Sequence, residues 1–163
     1  MILRASALLA TALIGGFMLG GCGSESASNS DASSSPTTST DTVTVTNAWM
    51  RPAPEGGVTA LYFEFHNPDA TADTLTRIST PVSERTEIHT TVENDDGTTG
   101  MRELDDGLPL PADTVTTLHP GGPHVMIYDV DAALTLGDTA AATLHLSGTS
   151  HDVSASVRSS PPQ

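Results

Sequence analysis

The sequence contains no lysine and only one cysteine, Cys22. Without lysine the chain can neither form a Schiff base through that side chain nor use a P-loop lysine, so the enzyme classes that depend on them are excluded. Basic residues are scarce: the chain has 6 arginines and 20 acidic residues, and its formal net charge is -14. Such a surface repels nucleic acid and anionic lipid. The acid excess suits attraction of metal cations, but solubility in a saline habitat is the simpler reason for it.

The N-terminal segment has the pattern of an export signal. Arg4 precedes an apolar run at residues 5–19, which is shorter than the ~20 residues that a permanent membrane helix needs. Residues 19–22, Leu-Gly-Gly-Cys, resemble the lipobox of bacterial lipoproteins, in which the cysteine becomes the lipidated first residue. We therefore expect a signal peptide at residues 1–21, and a lipid-anchored Cys22 that holds the exported protein on a bacterial membrane, facing the periplasm or the cell exterior. The lipid is the only membrane contact expected.

Lipidation of Cys22 would leave the folded part without a thiol. A disulfide, a thiolate metal ligand and a cysteine nucleophile are then all excluded, so any metal site must use other donors. Residues 22–41 are rich in Ser, Thr, Ala and Asp. They hold too few apolar residues to offset the entropy of ordering, and we expect a flexible tether there. The folded domain is expected at residues 42–158, with a short tail at 159–163.

Short runs of alternating apolar and polar residues follow residue 42, separated by Pro, Gly, Asn and Asp, as is typical of half-buried strands. The alternation predicts strands at residues 42–48, 59–66, 74–79, 87–92, 99–104, 114–118, 124–130, 141–147 and 152–157. Eight or nine short strands in one domain predict an all-β sandwich or barrel. The predicted core consists of Leu61, Phe63, Phe65, Leu75, Ile88, Val115, Leu118, Val125, Ile127, Leu144, Leu146 and Val153.

Residues 124–128 place a methionine on a face where it has no core to fill. Val125 and Ile127 alternate with His124 and Met126. If the first pair faces the core, the second pair must project together from the opposite face of the strand. A methionine on a solvent face needs a reason, and metal binding is one.

Two further residues extend this set. His89 alternates with Ile88 and Thr90 on its strand, and Met101 follows a polar turn at residues 94–97. Two imidazoles and two thioethers can thus converge, and these soft and borderline donors favour copper(I) over calcium, magnesium or zinc. Because methionine has no proton to lose and forms no disulfide, such a site suits an exported carrier that holds and hands over an ion. These four residues indicate a metal carrier, and we expect no enzymatic activity.

The spacing of these residues resembles that of a known family. His89, eleven residues, Met101, twenty-two residues and then His124-x-Met126 resemble the motif of the periplasmic copper chaperones called the PCuAC family. That motif has a His, about ten residues, a Met, about twenty-one residues and His-x-Met, so each gap is one residue longer here. The resemblance covers nearly the whole folded part.

The extra residues are expected in the loop near Asp95 and in the stretch at residues 108–113. Further family-like segments lie at residues 47–51, 60–63, 87–89 and 120–122. The resemblance implies a cupredoxin-like Greek-key β-sandwich and one copper(I) ion bound by the four residues of the motif. It also implies delivery of copper to the copper-bearing subunit of cytochrome c oxidase, alongside a thiol-bearing Sco-type partner.

Other functions fit parts of the same sequence. A metal-free extracytoplasmic adhesion or interaction sandwich would leave the four motif residues replaceable, and a copper storage or tolerance protein would share the site. An electron-transfer cupredoxin needs a thiolate that only Cys22 could supply, and a hydrolase would need a motif around one of the serines.

Two further residues each have two possible roles. His119 is either a surface residue or an auxiliary metal donor, and Met50 either packs in the core or adds a thioether to the metal site.

Overall fold

The computed structural model describes residues 42–163, so the predictions for the signal peptide, Cys22 and the tether lie outside the described residues. These residues contain no helix that is long and apolar enough to span a membrane. Ten strands are present within them: β1 (Thr44–Met50), β2 (Thr59–Asn67), β3 (Asp73–Ser79), β4 (Arg85–Glu93), β5 (Thr99–Glu103), β6 (Leu108–Leu110), β7 (Thr114–Leu118), β8 (His124–Tyr128), β9 (Thr139–Leu146) and β10 (Ser150–Val157).

The strands are hydrogen-bonded in the order β5-β4-β8-β2-β1-β10-β9-β3-β6. The start of β2, from Thr59 to Leu61, pairs with β8, whereas its end, from Phe63 to Asn67, pairs with β7. The pair β1 and β10 is parallel and joins the two halves of the strand order. The described part of the chain is therefore all-β, as predicted.

One large hydrophobic core joins these two halves. Phe63 on β2 and Val125 on β8 belong to the same buried cluster as Leu75 on β3 and Leu144 on β9. Each half has one apolar face, and packing the two faces together removes both from water. The predicted β-sandwich is confirmed.

Ten of the twelve predicted core residues are buried, and two are not. Val153 is half-buried, and Val115 is 53% exposed. Val115 lies directly opposite His66 in the β2–β7 pair and so shares the outer face of β2, whereas Phe65 next to it points into the core. The prediction for Val115 was wrong because the register that sets its face depends on a strand distant in sequence.

The tenth strand, β6, was not predicted, and it lies within the stretch at 108–113 that was expected to hold one of the two extra residues of the motif. Leu108 and Leu110 are buried, and β6 pairs with β3 at one end of the strand order. The intervening Pro109 suits an edge strand, because proline has no amide hydrogen for a further neighbour. Asn67 fixes the segment from inside, since its Nδ2 donates to the carbonyl of Leu110 at 3.0 Å. A three-residue strand centred on proline has too short an alternation to detect.

Leu144→Ala should lower the free energy of unfolding by about 2–5 kcal/mol, because a fully buried leucine leaves a cavity when truncated. The matched control is Leu136→Ala, since Leu136 is 65% exposed and its truncation should change stability by less than about 0.5 kcal/mol. Urea denaturation followed by Trp49 fluorescence measures both. Equal losses in the two variants would contradict this core.

Candidate metal site

The pairing of β4 with β8 brings two of the predicted ligands face to face. In this antiparallel pair His89 lies directly opposite His124, and Glu87 lies opposite Met126. The ring centroids of the two histidines are 6.1 Å apart. Because opposite residues share a face, and residues two apart on one strand share it too, all four side chains stand on the same side of the sheet.

The pairing of β4 with β5 adds Met101 to this face. Met101 lies opposite Thr91, and Glu103 lies opposite His89. Met101 on β5 and Met126 on β8 are therefore diagonal neighbours of His89 on its two sides. Such diagonal positions are about 7–8 Å apart, which long side chains can span. The structure thus brings the four predicted ligands together on one face.

The four residues differ in burial. Met101 is 63% exposed, whereas His124 is only 6% exposed, and His89 and Met126 are half-buried. The burial of His124 differs from the expected outward position because a second, smaller apolar cluster covers this face of the sheet. That cluster consists of Trp49, Ala60 and Tyr62, with Met126 packed against it.

A tight turn before β8 orients His124. The amide of Gly122 donates to the carbonyl of His119 at 3.0 Å, and Gly121 has a left-handed φ of 86°. Pro120 and Gly121 occupy the positions that a type II turn requires for proline and glycine. The carbonyl of Gly122 then accepts a hydrogen bond from Nδ1 of His124 at 2.8 Å. His124 is therefore left with Nε2 as its lone-pair nitrogen.

A carboxylate holds the second histidine. Nε2 of His89 donates to Oε2 of Glu87 at 3.0 Å, and Nε and Nη2 of Arg85 donate to Oε1 of Glu87 at 3.2 and 3.0 Å. Burial raises the pKa of Glu87, but hydrogen bonds from His89, Arg85 and Tyr128 outweigh burial and hold this pKa below its ordinary value. An ionised carboxylate on one ring nitrogen is the usual way in which proteins orient a metal-binding histidine.

The other nitrogen of His89, Nδ1, is buried and has no hydrogen-bond partner among the described residues. A buried nitrogen of this kind is costly unless something binds it. Metal–nitrogen bonds of about 2 Å place the centroids of two imidazoles on one ion roughly 5 Å apart at a tetrahedral angle and roughly 6 Å apart in a linear arrangement. The observed separation of 6.1 Å between His89 and His124 lies at the wide end of this range, so a small approach of the two rings is enough for a shared ion.

An aromatic stack supports His124 on the side away from His89. The ring centroids of Trp49 and Tyr62 are 4.6 Å apart, and those of Tyr62 and His124 are 6.3 Å apart. Cζ of Arg51 lies 5.8 Å from the centroid of the Tyr62 ring. Burial raises the pKa of the Tyr62 phenol, and the charge of Arg51 opposes this. The phenol is therefore neutral at physiological pH.

A cavity of about 500 Å³ opens on the same face, and Met101, His124 and Met126 all line it. His89 is not part of its wall and lies half-buried beside His124. Three of the four predicted ligands thus line a space that a molecule from solution can enter. The fourth, His89, lies next to them on the neighbouring strand β4.

The structure distinguishes between the two alternative roles that the sequence left for Met50 and for His119. Met50 is fully buried in the main core, so the packing role is the correct one. His119 is exposed, and its Nδ1 donates to the carbonyl of Pro120 at 3.0 Å. His119 is not among the residues that line the cavity, which favours the surface role.

Sequence reasoning assigned no role to three neighbours of the histidine pair. Glu87, His89 and Glu103 have ligand atoms within 4.8 Å of one another, and Tyr62 packs beside His124. A signal existed for Glu87, because residues two apart on a strand share a face. The same signal existed for Glu103, which lies two residues after Met101 on β5. The place of Tyr62 beside His124 was not accessible, because it depends on the pairing of separate strands.

Comparisons with known proteins agree with this structure. A family model described as "Putative lipoprotein LpqE-like" matches residues 43–157. The "Putative lipoprotein Lxx21020" of Leifsonia xyli subsp. xyli is 29% identical over 105 residues, which is 64% of this chain and 62% of that protein. The match therefore spans less than two thirds of that relative.

Solved structures with a similar fold include the "Copper-bound PCuAC domain from PmoF2", with a TM-score of 0.58 and 22% identity over 71% of this chain and 91% of that one. The "Apo PCuAC domain from PmoF1" has a TM-score of 0.58 and 23% identity over 71% and 92% of the two chains. The fold predicted from the PCuAC resemblance, a cupredoxin-like β-sandwich, is thus confirmed. Because the family model covers nearly all of the described strands, the chain belongs to the LpqE-like family.

Proposed function

We propose that this protein binds one copper(I) ion through His89, Met101, His124 and Met126 and carries it outside the cytoplasmic membrane. The observation that carries the proposal is the register of β4 with β8 and β5, which gathers these four residues on one face. Two thioethers and two neutral imidazoles match the preference of copper(I) for soft and borderline donors.

The state of the two histidines supports the same proposal. Nδ1 of His124 is held by the carbonyl of Gly122, and Nε2 of His89 is held by Glu87, so each ring has one nitrogen left to bind a metal. Metal binding requires a ring nitrogen that offers its lone pair, and a hydrogen bond at the other nitrogen fixes which one that is. A solved protein of similar fold, the PCuAC domain from PmoF2, is described as copper-bound.

The exposure of Met101 supports transfer of the ion rather than permanent storage. Met101 is 63% exposed, while His124 is 6% exposed. An incoming ligand can therefore reach the ion from the side of Met101 and displace one donor at a time. A storage site would be better served by donors that are all buried.

The expected location is the outside of a bacterial membrane, with Cys22 as the lipidated residue. The family description and the Leifsonia relative both carry the word lipoprotein, which supports this part of the proposal. The acceptor proposed for the copper is the copper-bearing subunit of cytochrome c oxidase, with a Sco-type thiol protein as a second partner. This part rests on the PCuAC resemblance of the motif.

Copper(I) titration tests the site itself. We expect the protein to bind one equivalent of copper(I), with mixed nitrogen and sulfur scattering in X-ray absorption. Changing both Met101 and Met126 to Leu keeps the side-chain volume but removes both sulfur donors. Loss of a residue that only orients a metal ligand weakens metal binding by up to about 100-fold, so loss of two ligands should weaken copper(I) binding by more than that. Met50→Leu, in the core, is the control and should bind as wild type does. A stoichiometry near zero for the wild type would end the proposal.

Glu87→Gln tests the support of His89. The neutral amide cannot replace the charge that holds Nε2–H, so copper(I) affinity should fall by about 10-fold or more. Glu93→Gln, at the exposed end of β4, removes the same charge away from the histidines and should leave affinity unchanged. Competition with a chromogenic copper(I) chelator measures both variants. Unaltered binding by Glu87→Gln would show that the carboxylate does not position the ligand.

A deletion strain separates delivery from storage. Loss of the protein should lower cytochrome c oxidase activity when copper is scarce, and added copper should restore the activity, because mass action then replaces the carrier. A strain with normal oxidase activity but lower tolerance of excess copper would instead indicate storage or tolerance. The measurement is oxygen consumption by membranes, with oxidase protein quantified in parallel.

A further inference from the structure

We propose that the cavity beside His124 and Met126 is a binding site for a small organic anion that is itself a copper ligand, with Arg51 as its anion contact. Copper(I) would then enter or leave the protein as a complex with that anion rather than as a free ion. This inference rests on the proposed copper function and names the class of molecule that exchanges the ion.

The size of the cavity is the first argument. Its volume is about 500 Å³, within the roughly 300–1,000 Å³ typical of small-molecule sites. A single ion with donors at about 2 Å needs far less space. The donors of Met101, His124 and Met126 occupy only part of the wall, so the rest of the cavity is available to something larger than copper.

The wall of the cavity has the composition of an organic binding site. Pro52, Val58 and Pro120 line it together with the ring of Tyr62. Val58 is 49% exposed, so an apolar side chain at this site remains in contact with water. Removing such a surface from water favours an organic ligand over a hydrated ion.

Charge defines the class of that ligand. Among the described residues that line the cavity, Arg51 alone carries a formal charge, in a protein whose net charge is -14. A guanidinium is suited to carboxylate, which it can bind through two parallel hydrogen bonds. The cavity is therefore a local cationic site on an acidic protein, and it matches an anion that carries apolar surface.

Arg51 is held in place by its surroundings. Its carbonyl accepts a hydrogen bond at 2.6 Å from Oγ1 of Thr59, which is 3% exposed, and its amide donates to the carbonyl of Ala60 at 3.3 Å. Its guanidinium lies over the ring of Tyr62, with Cζ 5.8 Å from the centroid. The backbone of Arg51 is thus held, and its exposed side chain lines the cavity beside the stack that supports His124.

The exchange itself needs no redox partner. The bonds from the donor atoms of the organic anion to copper break, and bonds from Nε2 of His124 and Sδ of Met126 form, while copper stays monovalent. The released anion leaves with its own electron pairs and its charge. The thioether has no proton to lose, and the imidazole binds through a nitrogen lone pair, so any proton on that nitrogen passes to solvent before the bond to copper forms.

The experiment compares two chelators with the same ring system. Copper(I)-loaded full-length protein is mixed with excess bicinchoninate, which carries two carboxylates, or with 2,2′-biquinoline, which carries none, and the coloured copper(I) complex is followed in time. In Arg51→Gln the ratio of the bicinchoninate rate to the biquinoline rate should fall about two- to fivefold, the size expected for an exposed ion pair. Because the ratio is used, changes in copper affinity cancel.

Two variants control this test. Arg51→Lys keeps the charge and should retain most of the wild-type ratio, and Arg158→Gln removes one positive charge from a residue outside the cavity and should leave the ratio unchanged. An unchanged ratio in Arg51→Gln, or an equal fall in Arg158→Gln, overturns the anion site. A wild-type protein that takes up no copper(I) at all refutes the proposed function instead, and this inference falls with it.

Discussion

The antiparallel register between β4 and β8 is the constraint on which the candidate metal site depends. Side chains alternate faces along a strand, so a slip of one residue would bury His89 and expose Ile88. The register is held by the opposite face, where Ile88, Val125 and Ile127 are 6%, 0% and 0% exposed. The hydrophobic core therefore sets the geometry of a site on the opposite face of the same strands, and a loss of core packing would displace the two histidines.

The two histidines are fixed by different means. His124 depends on a backbone carbonyl at the end of a glycine turn, and His89 depends on the Glu87 carboxylate that Arg85 also contacts. One ring consequently offers Nε2 and the other Nδ1, so the two lone pairs come from rings of opposite tautomer. The carboxylate also makes the imidazole of His89 a stronger donor than that of His124. The family-like segments at 87–89 and 120–122 thus have a physical purpose, which is to fix the two rings.

Much of this could be predicted from the sequence where the signal was local. The alternation of Val125 and Ile127 with His124 and Met126 was sufficient to assign faces, because both sets lie on one strand. Features that depend on pairing between distant segments could not be predicted from the sequence. Val115 was placed in the core by its side chain alone, but its partner His66 lies on the outer face. The position of Glu103 beside His89 follows from the turn at residues 94–97, whose hydrogen bonds set the β4–β5 register.

The position of Met101 on β5 has a consequence for how an ion would leave. β5 lies at one end of the strand order and, among the strands described, pairs with β4 alone. Terminal strands with exposed side chains fray at a small fraction of the free energy needed for global unfolding. On the proposed assignment one of the four bonds to copper could therefore open by fraying of this strand, while the histidine pair and the sandwich stay intact. The rate of release would then depend on the local stability of a five-residue hairpin arm rather than on the stability of the whole protein.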